Sequence, residues 1–382
     1  MSDIQKVKVT IDGITVEVPV GTNIVDAARV IGGDIVPPTM CYYSKLEGSG
    51  GKCRSCLVEV SKGSEKDPRP MPKLVASCRT AVMDGMEVKS ITSDRVRDAR
   101  EGVTEFLLIN HPMDCPVCDQ AGECKLQDLS YEHGDVGTRT EFVRRTFEPE
   151  DIGPYIQLHM NRCIMCYRCV FAAQQLCDVR EHGIMNRGER SQISTYIEQA
   201  LDNEMVGNVI DVCPVGALTD KTFRFKNRVW FTKPVDAHRE CDTCCGEVRL
   251  WMRGEEVYRV TARRDEYWEV FEASNGKTGW ICNTCRFHKK KVSDWVIEGP
   301  AKINRHSVIT QGHYVGAHNP QESLINEVIG KSPKLLFDIH SQSDVNRPEI
   351  ELSQISGPAH SDNFLPNKKI DQERVLDVGR KK

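Results

Sequence analysis

No uninterrupted apolar run of about 18 residues, the length needed to span a bilayer, occurs in this chain. The N-terminal stretch MSDIQKVKVTIDG lacks the apolar core of a secretory leader. The expected location is therefore the cytosol, or the cytoplasmic side of the inner membrane, held peripherally by partners. An excess of one charge sign is also missing. The 51 Lys and Arg nearly balance the 55 Asp and Glu, for a net charge of −4, which argues against a nucleic-acid binder. The one short basic run, Arg286-Phe287-His288-Lys289-Lys290-Lys291, reads as a solvated face or a contact with a protein partner. Nucleotide-binding loops are absent as well. No G-x-G-x-x-G opens a helix, and GSGGKC fails as a phosphate loop because Leu46 stands at its first glycine position and Cys53 at its Ser/Thr position. No acid–base or nucleophile constellation is visible. Finally, cysteine is wholly missing beyond Cys285.

What the chain has is cysteine, 17 in 382 residues, all between Cys41 and Cys285. Disulfide frameworks belong to short exported chains, and this chain is neither short nor equipped for export. Metal binding is the better account.

The fold class expected is α+β. Residues 6–20, KVKVTIDGITVEVPV, alternate about Asp12-Gly13 as a β-hairpin, and Thr22 or Asn23 can cap the helix IVDAARVIGG. A strand is expected at Cys56–Val60, a charged loop from Ser61 to Lys73, and a further extended segment at LVASCRTAV. An amphipathic helix should start at Ser93, with Val96, Ala99, Val103, Phe106 and Leu107 on one face. Residues 111–217 show weak periodicity, as ligand loops should. Residues 247–260 read as a second hairpin with Gly254 in the turn, and 300–382 as an extended tail ordered by partners.

The cysteines fall into four sets. Cys41, Cys53, Cys56 and Cys78 surround a loop, Gly48-Ser49-Gly50-Gly51, that lets backbone wrap an inorganic core. Three clustered ligands and one distant one in a hairpin–helix context resemble plant-type [2Fe–2S] ferredoxins, with zinc as the alternative. His111, Cys115, Cys118 and Cys124 lie in HPMDCPVCDQAGEC; locally, three thiolates and an imidazole suit zinc or iron–sulfur alike. Cys163, Cys166 and Cys169 with the remote Cys213-Pro214 carry the [4Fe–4S] ferredoxin signature. Cys177 reads as a buried free thiol. Cys241, Cys244, Cys282 and Cys285 form two C-x2-C pairs, where iron–sulfur and zinc both remain open, with Cys245 adjacent.

CYYSKLEGSGGKCRSCLVEV, HPMDCPVCDQAGECKLQD, NRCIMCYRC and GNVIDVCPVGAL, in this order, resemble the large iron–sulfur subunit of NADH:quinone oxidoreductase, respiratory complex I, from about residue 4 to about 290. The resemblance implies a [2Fe–2S] cluster on the first set and [4Fe–4S] clusters on the second and third. Bacterial relatives can carry a further [4Fe–4S] cluster on C-x2-C-x3-C and a distant cysteine. That pattern maps onto Cys241, Cys244, position 248 and Cys282, but position 248 is Val248, with Cys285 or Cys245 as substitutes. The fourth site is thus expected to hold a third [4Fe–4S] cluster or a zinc ion.

The resemblance also implies modules. Residues 1–92 would be a β-grasp [2Fe–2S] ferredoxin domain and 93–132 a histidine/three-cysteine [4Fe–4S] domain. Residues 133–233 would be a ferredoxin-like [4Fe–4S] region. Residues 234–292 would be a β-rich cysteine domain like that of molybdopterin oxidoreductases, and 293–382 a tail. Family members usually continue into a molybdopterin-oxidoreductase-like domain, so a short form is expected. The implied function is passage of single electrons from a flavin-bearing, NADH-binding subunit toward quinone. The implied partners are that subunit, a small [2Fe–2S] subunit and quinone-side iron–sulfur subunits, with NADH and FMN bound elsewhere. A related wire in an NAD-linked hydrogenase or formate dehydrogenase is the rival. Arg54 and Arg168, beside ligand cysteines, are candidates for stabilising reduced clusters. His111 reads as a ligand that raises a cluster's potential, by analogy with Rieske centres.

Overall fold

The computed structural model describes residues 5–135, 139, 143–148, 150–196, 201–274 and 276–301. The first hairpin forms as its alternation requires. Strands β1 (Lys6–Ile11) and β2 (Ile14–Pro19) pair antiparallel through a turn at Asp12-Gly13, both residues at positive φ. Helix α1 (Ile24–Ile31) begins at Asn23, whose side chain accepts the Asp26 amide at 2.9 Å, and stops at Gly32. Strands β3 (Leu57–Lys62), β4 (Val75–Ala76) and β5 (Met86–Lys89) complete a sheet of order β2-β1-β5-β3-β4, with β1 and β5 parallel. Val9, Ile11, Ile24, Val58 and Met86 fill its core. β5 was not anticipated. LVASCRTAV pairs with β3 at Val75–Ala76, turns so that Cys78 lies in a loop, and then bridges Asn23 at Ala81.

Helix α2 (Asp94–Leu108) starts at Ser93, whose hydroxyl accepts the Val96 amide at 3.3 Å. Its buried face differs from the expected one. Val96, Arg100 and Thr104 point inward, whereas Phe106 is 73% exposed. The reason is polar: Arg100 donates to the Leu57 carbonyl at 3.2 Å and to Ser90 Oγ at 2.9 Å, docking the helix on acceptors near β3.

The stretch expected to be mostly ligand loops holds three helices, α3 (Lys125–His133), α4 (Arg168–Cys177) and α5 (Asn208–Val212). Each is short and carries a cysteine at an end: Cys124 before α3, Cys169 in the first turn of α4 and Cys213 after α5. Short helices interrupted by ligands leave little periodicity to read. Strands β6 (Glu150–Asp151), β7 (Ile156–Leu158) and β10 (Leu218–Asp220) form one small sheet, and β8 (His182–Met185) and β9 (Gln192–Thr195) a ribbon.

β11 (Lys233–His238), β12 (Glu247–Arg253), β13 (Glu256–Thr261) and β14 (Val296–Pro300) make the last sheet, in the order β13-β12-β11-β14. The β12–β13 hairpin turns at Gly254, as expected. Two expectations need correction. The tail boundary at 293 is too early, because β14 pairs with β11 and belongs to this sheet. The basic run is not a uniformly solvated face: Arg286 is buried and paired with Asp211, and the Lys290 ammonium bonds Thr222 Oγ1 at 3.0 Å and the Tyr258 carbonyl at 3.1 Å. Residues 302–382 of the expected tail lie outside the described residues. No helix among the described residues is long and apolar enough to cross a membrane.

Candidate metal centres

The glycine loop before Cys53 brings backbone amides onto sulfur. Gly51 N–H donates to Cys78 Sγ, and Lys52 and Cys53 N–H to Cys41 Sγ, each at 3.3 Å. Gly50 has φ +95°, and a Cβ there would stand 3.2 Å from Cys78 Sγ. Cys56 and Cys78 sulfurs lie 3.4 Å apart, and the Cys53 and Cys78 thiols both hydrogen-bond that of Cys41. These contacts push the Cys41 thiol down, and the hydrogen bond with Cys78 pulls Cys56 to about 7. The same contacts push the Cys53 and Cys78 thiols up, as crowded sulfurs must without a cation between them. All four first-set cysteines are buried, with N–H donors on Cys41 and Cys78, an arrangement suited to a metal core. Arg54 stands exposed beside them with φ 67°.

The third set is wound by a tight loop, with Met165 and Tyr167 both in left-handed backbone. Met165 N–H donates to Cys163 Sγ at 3.3 Å. Burial raises the Cys169 thiol, and the nearby sulfurs of Cys166, Cys163 and Cys213 raise it further, so all four members share one pocket of charge. Such crowding disfavours free thiolates and is reversed by a coordinated cation. Cys177 is buried at the other end of α4, about 12 Å along the helix from Cys169.

The second set lies at two element ends. His111 follows α2, and burial followed by the charge of Arg162 lowers its imidazole to about 4. Its Nδ1 is buried with no hydrogen-bond partner among the described residues, which fits a neutral imidazole kept for a metal. Cys115 is exposed, while Cys118 and Cys124 are buried. Three arginines that sequence reasoning missed brace this loop. Arg228 donates to the carbonyls of Cys118 at 2.8 Å and Cys115 at 3.0 Å. Arg162 pairs with Asp114 at 2.9 Å, and Arg259 pairs with the buried Glu123. No spacing or periodicity announces such long-range contacts.

Arg168, beside Cys169, donates to the carbonyls of Thr39 (3.3 Å) and Tyr42, which flank Cys41. Lys125 N–H, beside Cys124, donates to the Pro214 carbonyl at 3.2 Å, and a Cβ on Gly216 would fall 2.1 Å from Cys118 Sγ. The third set thus touches the surroundings of both the first and the second. Arg168 itself is buried.

The fourth set is the tightest. The ligand atoms of Cys241, Cys244, Cys282 and Cys285 all lie within 4.8 Å of one another, the one such group among the described residues. Cys245 stands outside this group: its thiol hydrogen-bonds that of Cys244 and also reaches the carbonyls of Trp280 at 3.5 Å and Glu247 at 3.6 Å.

Known iron–sulfur proteins resemble this chain over the stretches that carry the first three sets. The family described as a 2Fe-2S iron–sulfur cluster binding domain matches residues 5–93. The NADH-ubiquinone oxidoreductase-G iron–sulfur binding region matches residues 100–135. The ferredoxin-like domain of NADH-quinone oxidoreductase subunit 3 matches residues 153–219. The chain is 40% identical over 298 residues to a mitochondrial NADH dehydrogenase [ubiquinone] iron–sulfur protein 1 of Solanum tuberosum, covering 77% of this chain and 38% of that protein. It is 42% identical to the 75 kDa subunit of NADH-ubiquinone oxidoreductase of Reclinomonas americana, covering 74% and 38% respectively. It is 44% identical to the mitochondrial 78 kDa subunit of NADH-ubiquinone oxidoreductase of Neurospora crassa, covering 85% and 43%. The chain therefore spans about two fifths of the length of these curated relatives. A chain of an NAD+-reducing [NiFe]-hydrogenase in its H2-reduced state superposes with a TM-score of 0.50 at 26% identity, covering 58% of this chain and 91% of that one. Over the region matched, this chain belongs to the family of the large, 75 kDa-type iron–sulfur subunit of NADH:quinone oxidoreductase.

Proposed function

We propose that this chain is an electron-transfer subunit of an NADH:quinone oxidoreductase. It would lie between a flavin-bearing, NADH-binding subunit and quinone-side iron–sulfur subunits, beside a small [2Fe–2S] subunit. It would work peripherally, at the cytoplasmic side of the inner membrane. Cys41, Cys53, Cys56 and Cys78 would hold a [2Fe–2S] cluster in a β-grasp module. Cys163, Cys166, Cys169 and Cys213 would hold one [4Fe–4S] cluster, and His111, Cys115, Cys118 and Cys124 another. Such clusters supply one-electron oxidation and reduction.

The observation that carries the reading is the way the sets are linked in space. The Arg168 link and the Pro214–Lys125 link join the third set to the surroundings of both others, which supports a path running through it. The chain's own residues supply the rest. Amides of Gly51, Lys52 and Cys53 donate to sulfur and favour added negative charge. Burial of Cys166, Cys169, Cys118 and Cys124 excludes water from the ligands. The Nδ1 of His111 is left for coordination.

Anaerobically purified full-length chain should contain about ten irons in these three sets, with matching acid-labile sulfide. Reduced samples should give distinct [2Fe–2S] and [4Fe–4S] signals in low-temperature EPR. A colourless, sulfide-free protein with zinc in every set would refute the reading. The hydrogenase-type rival is separated by co-purification: membrane subunits support the proposal, whereas a nickel–iron subunit replaces it.

A further inference from the structure

The fourth cysteine set does not fit the four-iron cluster that bacterial relatives can carry, and the misfit is specific. In the C-x2-C-x3-C pattern the third ligand would come from position 248. Here Val248 occupies β12, opposite Ala237 in the sheet, with no exposed surface and its side chain in the hydrophobic core. A residue committed to the core cannot be a ligand, and nothing polar replaces it there.

The sulfurs are also too close. Cys241 Sγ and Cys282 Sγ are 3.8 Å apart, and so are Cys244 Sγ and Cys285 Sγ. Thiolates bound tetrahedrally to a single ion at about 2.3 Å have sulfur–sulfur edges of about 3.8 Å. In a four-iron cluster each thiolate binds a different iron, so the sulfurs must stand well beyond that edge.

The two C-x2-C pairs enter from opposite sides. One lies in the turn between β11 and β12, the other in the helical turn after Ile281. Gly246 N–H donates to Cys244 Sγ and Cys285 N–H to Cys282 Sγ, both at 3.4 Å. Arg239 Nη1 lies 3.6 Å from Cys285 Sγ. Lys277 Nζ bonds the carbonyls of Cys241 at 3.3 Å and Cys244 at 3.2 Å. Four thiolates around a divalent ion leave a net charge of −2. Two cations and two amide donors offset it without any inorganic sulfide.

We propose that Cys241, Cys244, Cys282 and Cys285 bind one zinc ion, a closed structural site that clamps the β11–β12 turn to the segment leading into β14. All four ligand positions are filled by protein, so no open position for substrate remains, and zinc has no redox chemistry. Cys245 lies outside the tetrad.

The test is metal and sulfide analysis of the anaerobically purified full-length chain, together with zinc-edge X-ray absorption. Expected are about one zinc per chain and four sulfur neighbours at about 2.3 Å. Cys282→Ser/Cys285→Ser should lose that zinc and leave iron and sulfide unchanged, whereas Cys245→Ser should keep it. The wild-type measurements stand even if the double variant folds poorly. The proposal is overturned by wild-type protein without zinc, by the double variant losing about four irons with sulfide, or by its losing one iron without sulfide. Failure of the three-cluster reading would appear separately, as missing iron and sulfide with the zinc unchanged.

Discussion

The backbone amide of Lys125 donates to the carbonyl of Pro214 at 3.2 Å. The residue after Cys124 is thereby tied to the residue after Cys213, across 89 positions of sequence. Gly216 continues this contact, since any Cβ there would collide with Cys118 Sγ at 2.1 Å. Gly216→Val should therefore displace Cys118 and cost the second set the [4Fe–4S] cluster proposed for it, a loss of about four irons per chain. Iron analysis with EPR checks this; full iron content with unchanged spectra would contradict it.

Arg168 performs a similar junction on the other side, between the third set and the carbonyls of Thr39 and Tyr42. Arg168→Ala should destabilise the protein by about 1–3 kcal/mol, because buried acceptors lose their donor. The guanidinium also lies within the electrostatic reach of Cys166 and Cys213. Removing its charge should lower the potential of the third-set cluster. Thermal unfolding and EPR-monitored redox titration of the same variant measure the two effects independently.

His111 is neutral when it acts as a ligand, so a cluster bound through it is less negative than one bound by four thiolates. His111→Cys should keep the iron and lower the potential by on the order of 100 mV. An unchanged potential would leave the ligand assignment but remove the tuning role.

His182 offers a pH test away from every ligand set. Burial alone lowers its imidazole to about 4, and both ring nitrogens lack hydrogen-bond partners among the described residues. Its folded pKa lies below its unfolded value of about 6.5, so the unfolded state takes up the proton first. Stability should be fully present above about pH 6.5 and fall as pH drops toward about 4, by up to about 3 kcal/mol. His182→Leu should flatten that decline in chemical denaturation curves between pH 4 and 7. A variant with the parent's full decline would rule the residue out.

Local patterns in the chain reported local structure well. The Asp12-Gly13 turn, the Asn23 cap, the Ser93 start of α2 and the Gly254 turn each depend on neighbouring residues alone, and each formed where its chemistry indicated. The face of α2 was misjudged because Arg100 is held inward by acceptors distant in sequence. The basic run was misjudged because Asp211, Thr222 and Tyr258 meet it only after folding.

The same division runs through the metal sets. Cysteine spacing by itself suggested which near neighbours group together, since ligands a few positions apart have little freedom to separate; it says less about remote members such as Cys78 and Cys213. The missing cysteine at position 248 came instead from the resemblance to bacterial relatives. Chain order could not determine spatial order. Only the fold joins the third set to both the first and the second, through hydrogen bonds spanning more than a hundred residues at Arg168 and 89 at Pro214. At the fourth set spacing allowed either metal centre. Sulfur–sulfur distance separates one ion from four, and it is set by how two remote C-x2-C turns pack across the β11–β12 sheet.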